Sequence, residues 1–153
     1  LASDAGYGFV AKIGDLGSKN KSGKAVLRSP KGGKVLPAIT VNDYASDLIV
    51  AITNEGRMLM FPLNELPRLA KGKGNKIISI PTARVAERIE FVVVIAVLTV
   101  EDTLTIHAGR RYHNLKPADL QHYRGERGRR GNKLPRGFQN VDRIELIEKQ
   151  ARD

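Results

Sequence analysis

Apolar positions along the chain come in short, dense runs rather than in stripes spaced for a helix. Ala38-Ile39-Thr40-Val41, Leu48-Ile49-Val50-Ala51-Ile52, Met58-Leu59-Met60-Phe61 and Ile77-Ile78-Ser79-Ile80 are each bounded by turn residues and rich in branched side chains. That combination predicts strands. Phe91 to Val100, Leu104-Thr105-Ile106 and Val141 to Leu146 continue the pattern. Asn54-Glu55-Gly56 and His107-Ala108-Gly109 read as hairpin turns, in which glycine takes positive φ without steric cost. Val100-Glu101-Asp102-Thr103-Leu104 reads as a further tight reversal. Helical periodicity is weak and leaves two short candidates, Asn64 to Arg68 and Pro117 to Tyr123, with Ala83 to Glu90 as an ambiguous third. The chain is expected to be all-β. Phe91 to Val100 is apolar at every face, which predicts an inner strand covered on both sides. At ten residues it is too short to span a bilayer, so no membrane insertion is expected.

The pattern repeats. Gly6 leads through Asp15-Leu16 to Lys21-Ser22-Gly23-Lys24. Gly56 leads through Glu65-Leu66 to Lys71-Gly72-Lys73-Gly74-Asn75-Lys76. Gly109 leads through Asp119-Leu120 to Arg127-Gly128-Arg129-Arg130-Gly131-Asn132-Lys133. A period of about fifty residues with about four strands in each copy is that of a propeller blade. A plain sandwich would also hold short strands, but it would not require its turn chemistry to recur. The expected organisation is one domain over residues 1–153, with repeats at roughly 6–55, 56–108 and 109–150 forming an open arc of four-stranded blades.

Charge sharpens this picture. The chain has 153 residues, is 41% hydrophobic and carries a net charge of +10. It can bury a core, so it is no disordered basic tail, and its charge points to nucleic acid. Its basic residues sit in the equivalent segment of each repeat. Lys19, Lys21, Lys24, Arg28, Lys31 and Lys34 form the first cluster, Arg68, Lys71, Lys73 and Lys76 the second, and Arg124, Arg127, Arg129, Arg130, Lys133 and Arg136 the third. Arg57, Arg110 and Arg111 follow or adjoin the hairpin glycines. Lysine and arginine neutralise phosphates and release counterions. The interleaved glycines let backbone N–H groups approach an anion. Any one such cluster is more often a solvated loop, but three at equivalent positions predict one continuous basic edge. With 5% aromatic residues and no Trp, stacking on unpaired bases is not favoured. No recognition helix is apparent, so duplex binding without sequence preference is expected.

Catalytic constellations are weak. Gly17 to Lys24 has one residue too many for a P-loop, and Ala25 stands where a Ser or Thr is needed. His107, His113 and His122 lack metal-ligand spacing. Arg111-Tyr112 could serve transesterification but lies in a strand pattern after a hairpin glycine. No catalytic residue, metal site or cofactor is assigned to this domain. No cysteine is present, which suits a reducing cytoplasm, and no signal pattern opens the chain.

Gly56-Arg57-Met58-Leu59-Met60-Phe61-Pro62, the run Lys71 to Ile78, and Gly125-Glu126-Arg127-Gly128-Arg129-Arg130-Gly131 closely resemble the C-terminal repeat domain of the A subunits of bacterial gyrase and topoisomerase IV. Gly6-Tyr7-Gly8-Phe9 is similar too, so the resemblance covers essentially the whole chain. It implies a β-pinwheel, a propeller-like ring of blades that exchange a strand with their neighbours and bind and bend duplex DNA on a basic rim. The gyrase type carries a Gln-Arg-Arg-Gly-Gly-Lys-Gly box. Lys19-Asn20-Lys21-Ser22-Gly23-Lys24-Ala25 is a degenerate counterpart, which places the chain nearer topoisomerase IV. Such domains usually have five or six blades, so three repeats imply a truncated or naturally short arc. The resemblance also implies a C-terminal piece of a longer polypeptide. Its partners would be duplex DNA, the N-terminal part of that polypeptide and the ATPase B subunit. The holoenzyme would use ATP and Mg and act in DNA relaxation and decatenation during chromosome segregation at the nucleoid. The alternatives are a propeller-like protein-interaction module with a basic rim, or a gyrase-type DNA-wrapping domain.

Overall fold

A computed structural model describes residues 1–11, 33–37, 39–41, 43–69 and 73–147. Its strands are β1 (Tyr7–Gly8), β2 (Leu48–Thr53), β3 (Arg57–Pro62), β4 (Asn75–Lys76), β5 (Val92–Leu98), β6 (Thr103–Ala108), β7 (Arg111–Leu115), β8 (Asn132–Lys133) and β9 (Arg143–Ile147). Among the described residues, two short helices, α1 (Thr82–Ala86) and α2 (Pro117–Leu120), complete the regular elements with 3-10 turns at Leu63–Glu65 and Gln121–Tyr123. The strands form three sheets, ordered β1-β4, β5-β2-β3-β8 and β7-β6-β9, and every pairing within them is antiparallel. The all-β expectation holds.

The middle sheet explains why the sequence shows apolar runs instead of alternation. It is buried on both faces. Leu48, Val50 and Ile52 of β2, with Met58 and Met60 of β3, face a core shared with β6, α2 and the 134–141 segment. Ile49 and Ala51, with Leu59 and Phe61, face a second core shared with Ala2, Ala5, Ile77, Ile78 and Val85. A strand covered on both sides needs apolar residues at consecutive positions, and all six residues of β2 are buried. Sequence reasoning gave the inner place to the Phe91–Val100 run. In the structure that place belongs to β2, and β5 lies at the sheet edge with several residues half-buried. β5 is apolar throughout because Ala96 and Leu98 join one core while Val92 joins the other.

Other expectations need correction. Ile77, Ile78 and Ile80 are buried, but the segment extends no ladder beyond Lys76. Its backbone divides its hydrogen bonds between two partners: Ile77 and Ile78 donate to the Gly6 carbonyl, and Ser79 donates to the Arg129 carbonyl. The described part of Ala38–Val41 is not strand. The Val100 turn does reverse the chain, with Asp102 Oδ2 accepting from the Thr99 amide at 2.8 Å. It joins strands of different sheets, however, not a hairpin. Of the helix candidates, Pro117–Tyr123 is one α turn running into a 3-10 turn, and Asn64–Arg68 shrinks to the 3-10 turn. The third candidate starts at Thr82 and stops before Arg88, which has φ of 59°.

The sheets hold different numbers of strands, and the four-stranded one takes its strands from all three sequence repeats. The hairpin turns are as expected, with Gly56 at φ 81° and Gly109 at φ 62°.

Candidate nucleic-acid interface

Among the described residues, the second and third basic clusters are held by a docking arrangement that occurs twice. In the first instance Gly74-Asn75-Lys76 lies beside Gly6-Tyr7-Gly8, pairing Tyr7 with Lys76 and Gly8 with Asn75. In the second, Gly131-Asn132-Lys133 lies beside Gly56-Arg57-Met58, pairing Arg57 with Lys133 and Met58 with Asn132. The register is the same. Gly74 and Gly131 both have positive φ, 83° and 75°. A Cβ on Gly74 would overlap the Gly8 carbonyl, and one on Gly131 would stand 2.5 Å from the Met58 carbonyl oxygen. Each glycine is needed both for its backbone angle and for the close approach of the two chains. The arrangement extends to a parallel bridge, Val10 with Arg68 and Met60 with Arg124. Leu69 accordingly donates to the Val10 carbonyl and Gly125 to the Met60 carbonyl. Each of these two clusters is thus clamped at both ends to the hairpin strand of the repeat before it.

The second and third clusters also touch each other. Arg127 Nη1 donates to the Lys76 carbonyl at 2.8 Å, the Gly128 amide to the Ile77 carbonyl at 2.9 Å, and Arg130 Nη1 to the Ser79 carbonyl at 2.6 Å. Lys76, Arg127 and Arg130 are therefore partly enclosed where the two loops stack.

The candidate cations divide into three groups. Lys19, Lys21, Lys24, Arg28, Lys31 and Lys71 lie outside the described residues. A second group is engaged within the molecule. Arg130 grips the buried carboxylate of Glu90 with two nitrogens, Nη2 reaching Oε2 at 3.0 Å. Arg57 Nη1 donates to the Gly131 carbonyl at 3.3 Å. Arg129 pairs with Glu126 at 3.0 Å, both well exposed. Lys73 lies over the Tyr7 ring at 4.0 Å and Arg68 over the Tyr44 ring at 4.1 Å, so these exposed cations rest on aromatic faces. The guanidinium of Arg111 packs against the backbone of Gly137. Lys34, Arg110, Arg124 and Lys133 form the third group: they are exposed and their side chains have no carboxylate partner among the described residues.

Sequence reasoning missed Glu90, which neutralises a cluster arginine from 40 positions away, and Arg84, which pairs with Glu55 at 3.7 Å. No local signal marks either. Arg136 was visible in the third cluster, and it too is exposed. Among the described residues no group of three His, Cys, Asp or Glu side chains could hold a metal ion, and no helix is long and apolar enough to cross a membrane. Tyr112 is exposed on β7 and stands beside His107, ring centroids 6.2 Å apart.

The family model for the DNA gyrase C-terminal domain, beta-propeller, matches residues 1–42 and 47–99, more than half of the chain. The chain belongs to that family. Within it, the chain is similar to the A subunit of DNA topoisomerase 4. It is 56% identical over 144 residues to that protein of Pseudomonas aeruginosa, and 51% identical over 146 residues to that of Escherichia coli K12. These matches cover 94% and 95% of the chain but 19% of each relative, so the chain spans about a fifth of their length. The structure of the E. coli ParC C-terminal domain superimposes with a TM-score of 0.90 at 49% identity, over 97% of this chain and 59% of that one. A crystal structure of the C-terminal domain of DNA topoisomerase IV gives a TM-score of 0.75 at 13% identity, which speaks to the fold alone. The expected propeller-like C-terminal domain of the topoisomerase IV kind is therefore correct.

Proposed function

We propose that this domain binds duplex DNA through its backbone, without sequence preference, and bends it along the basic edge. The observation that carries the reading is the repeated clamp. Two hairpin strands each hold a Gly-Asn-Lys segment in one register, so lysines recur at fixed places on the fold. Recurrent, spaced cations suit a regularly charged polyanion better than a single folded partner. The residues proposed to meet phosphates are the exposed Lys34, Arg68, Lys73, Arg110, Arg111, Arg124, Arg129 and Lys133 and the half-buried Lys76, together with Lys19, Lys21, Lys24, Arg28, Lys31 and Lys71 of the remaining cluster segments.

The wider role we propose is that of the topoisomerase IV A subunits it resembles. Within a topoisomerase IV holoenzyme, the domain would present DNA to the N-terminal part of its own polypeptide and to the ATPase B subunit. It would support ATP- and Mg-dependent relaxation and decatenation in the bacterial cytoplasm, at the nucleoid, and would itself need no cofactor. The test is fluorescence anisotropy with a duplex of about 30 bp and scrambled versions of it over a salt series. Equal affinities for all sequences and a steep loss with salt are expected. A marked preference for one short sequence, or salt-independent binding, would sink the reading.

A further inference from the structure

A polar groove of about 440 Å³ opens between the Gly56 hairpin turn, α1 and the 133–139 loop. Arg57, Arg84, Arg130, Lys133 and Arg136 line it, against the carboxylates of Glu55 and Glu90. Both carboxylates are already matched within the groove, Glu90 by Arg130 and Glu55 by Arg84. The surplus is positive. Lys133 and Arg136 have no carboxylate partner among the described residues, and the guanidinium of Arg57 is committed only to a backbone carbonyl.

We infer that this groove is a discrete phosphate-binding subsite at the junction of the second and third repeats. Arg57, Lys133 and Arg136 supply the charge, and Arg130 and Arg84 hold the two carboxylates away from the incoming anion. The inference rests on the DNA-binding reading and deepens it: the groove takes one phosphate of the duplex backbone, fixing where the strand crosses this junction. A free phosphoanion carries the same chemistry, so the two sources need separate arms in the test.

The first arm uses the double substitution Lys133→Ala with Arg136→Ala, both at exposed side chains, with thermal unfolding as the control for folding. Duplex affinity at about 100 mM salt should fall roughly tenfold to a hundredfold, and the log–log salt slope by about one unit, that of the one phosphate the groove holds. Arg124→Ala with Lys34→Ala, which lie outside the groove, is the comparison pair. The second arm titrates pyrophosphate into the parent protein, observed by NMR at the arginine side chains. Lowered slope together with saturable pyrophosphate shifts that the double variant abolishes supports a general phosphate subsite. Lowered slope without pyrophosphate binding supports a subsite formed only for backbone phosphate. If the comparison pair lowers the slope and the groove pair does not, the groove is overturned while DNA binding stands. If the parent fails to bind duplex, the function reading falls. Pyrophosphate then decides alone: saturable shifts keep the subsite and their absence overturns it.

Discussion

Arg130 and Lys133 belong to one basic cluster, yet the structure gives them opposite surroundings. Lys133 is exposed on β8 with no carboxylate partner among the described residues. Arg130 neutralises Glu90, whose side chain is 1% exposed. Removing one partner of such a pair leaves a charge stranded in a poorly solvated place. Arg130 is itself 37% exposed, so the cost belongs at the low end of the range for buried pairs. Arg130→Ala should cost about 3 kcal/mol of stability by urea denaturation, whereas Lys133→Ala should fall within about 0.5 kcal/mol of the parent. Equal stability for the two variants, with an equal drop in salt slope, would make Arg130 a direct phosphate ligand. The clamp glycines make a second residue-scale case. Gly131→Ala adds a methyl group at positive φ and against the Met58 carbonyl, two penalties that together should cost about 2–3 kcal/mol. Gly109→Ala has the positive φ but open space around it, so it should cost less, about 1 kcal/mol. If the order of these two is reversed in denaturant melts, the close approach of the strands is not what holds β8 in place.

At the scale of elements, burial on both faces of the middle sheet sets the energetics. Ile52 of β2 is completely buried, and Ile52→Ala should destabilise by about 3–4 kcal/mol through forfeited packing and the cavity left behind. Val100 sits in the turn after β5 at 56% exposure, and Val100→Ala should stay within about 0.5 kcal/mol. A similar cost at both sites would remove β2 from the centre of the structure. This element scale also shows what a sequence can and cannot reveal. β2, β3 and β6 were legible because branched apolar residues and a glycine turn are local signals. β4 and β8 were not, since each is two residues long and is defined by a partner far away in the chain. The Phe91–Val100 run was legible as a strand but not in its place: local hydrophobicity reports burial, not neighbours. For the candidate site, the clusters themselves stood out as charge. Which cations are committed to carboxylates, carbonyls or rings depends on tertiary pairings such as Arg130 with Glu90 and Arg127 with Lys76, and these carry no local signature.

Across the whole molecule, the stacking of the third cluster on the second determines how a duplex would meet it. The two loops share hydrogen bonds from Arg127, Gly128 and Arg130 to Lys76, Ile77 and Ser79, and both clusters are clamped to hairpin strands that pack on a common core. They cannot swing independently to follow a straight helix, so a duplex bound as proposed would have to conform to them. Bending a site of roughly 20–30 bp by about 40–90° costs on the order of 1–6 kcal/mol. One cluster would offset that poorly, and several spaced clusters could offset it together. Replacing Lys71, Lys73 and Lys76 with Ala should therefore weaken binding to every sequence and lower the salt slope by about one unit for each phosphate left without its cation. End-to-end FRET on a doubly labelled duplex should fall with it, because a bend held at fewer points relaxes. Lys73 also covers the Tyr7 ring, so Lys73→Arg, which keeps both the charge and the stacking on the ring, should restore binding and bending when it replaces Lys73→Ala in the triple variant. If the triple variant binds and bends DNA like the parent at every salt concentration, the second cluster is not on the DNA path, and its charge serves to keep the domain soluble.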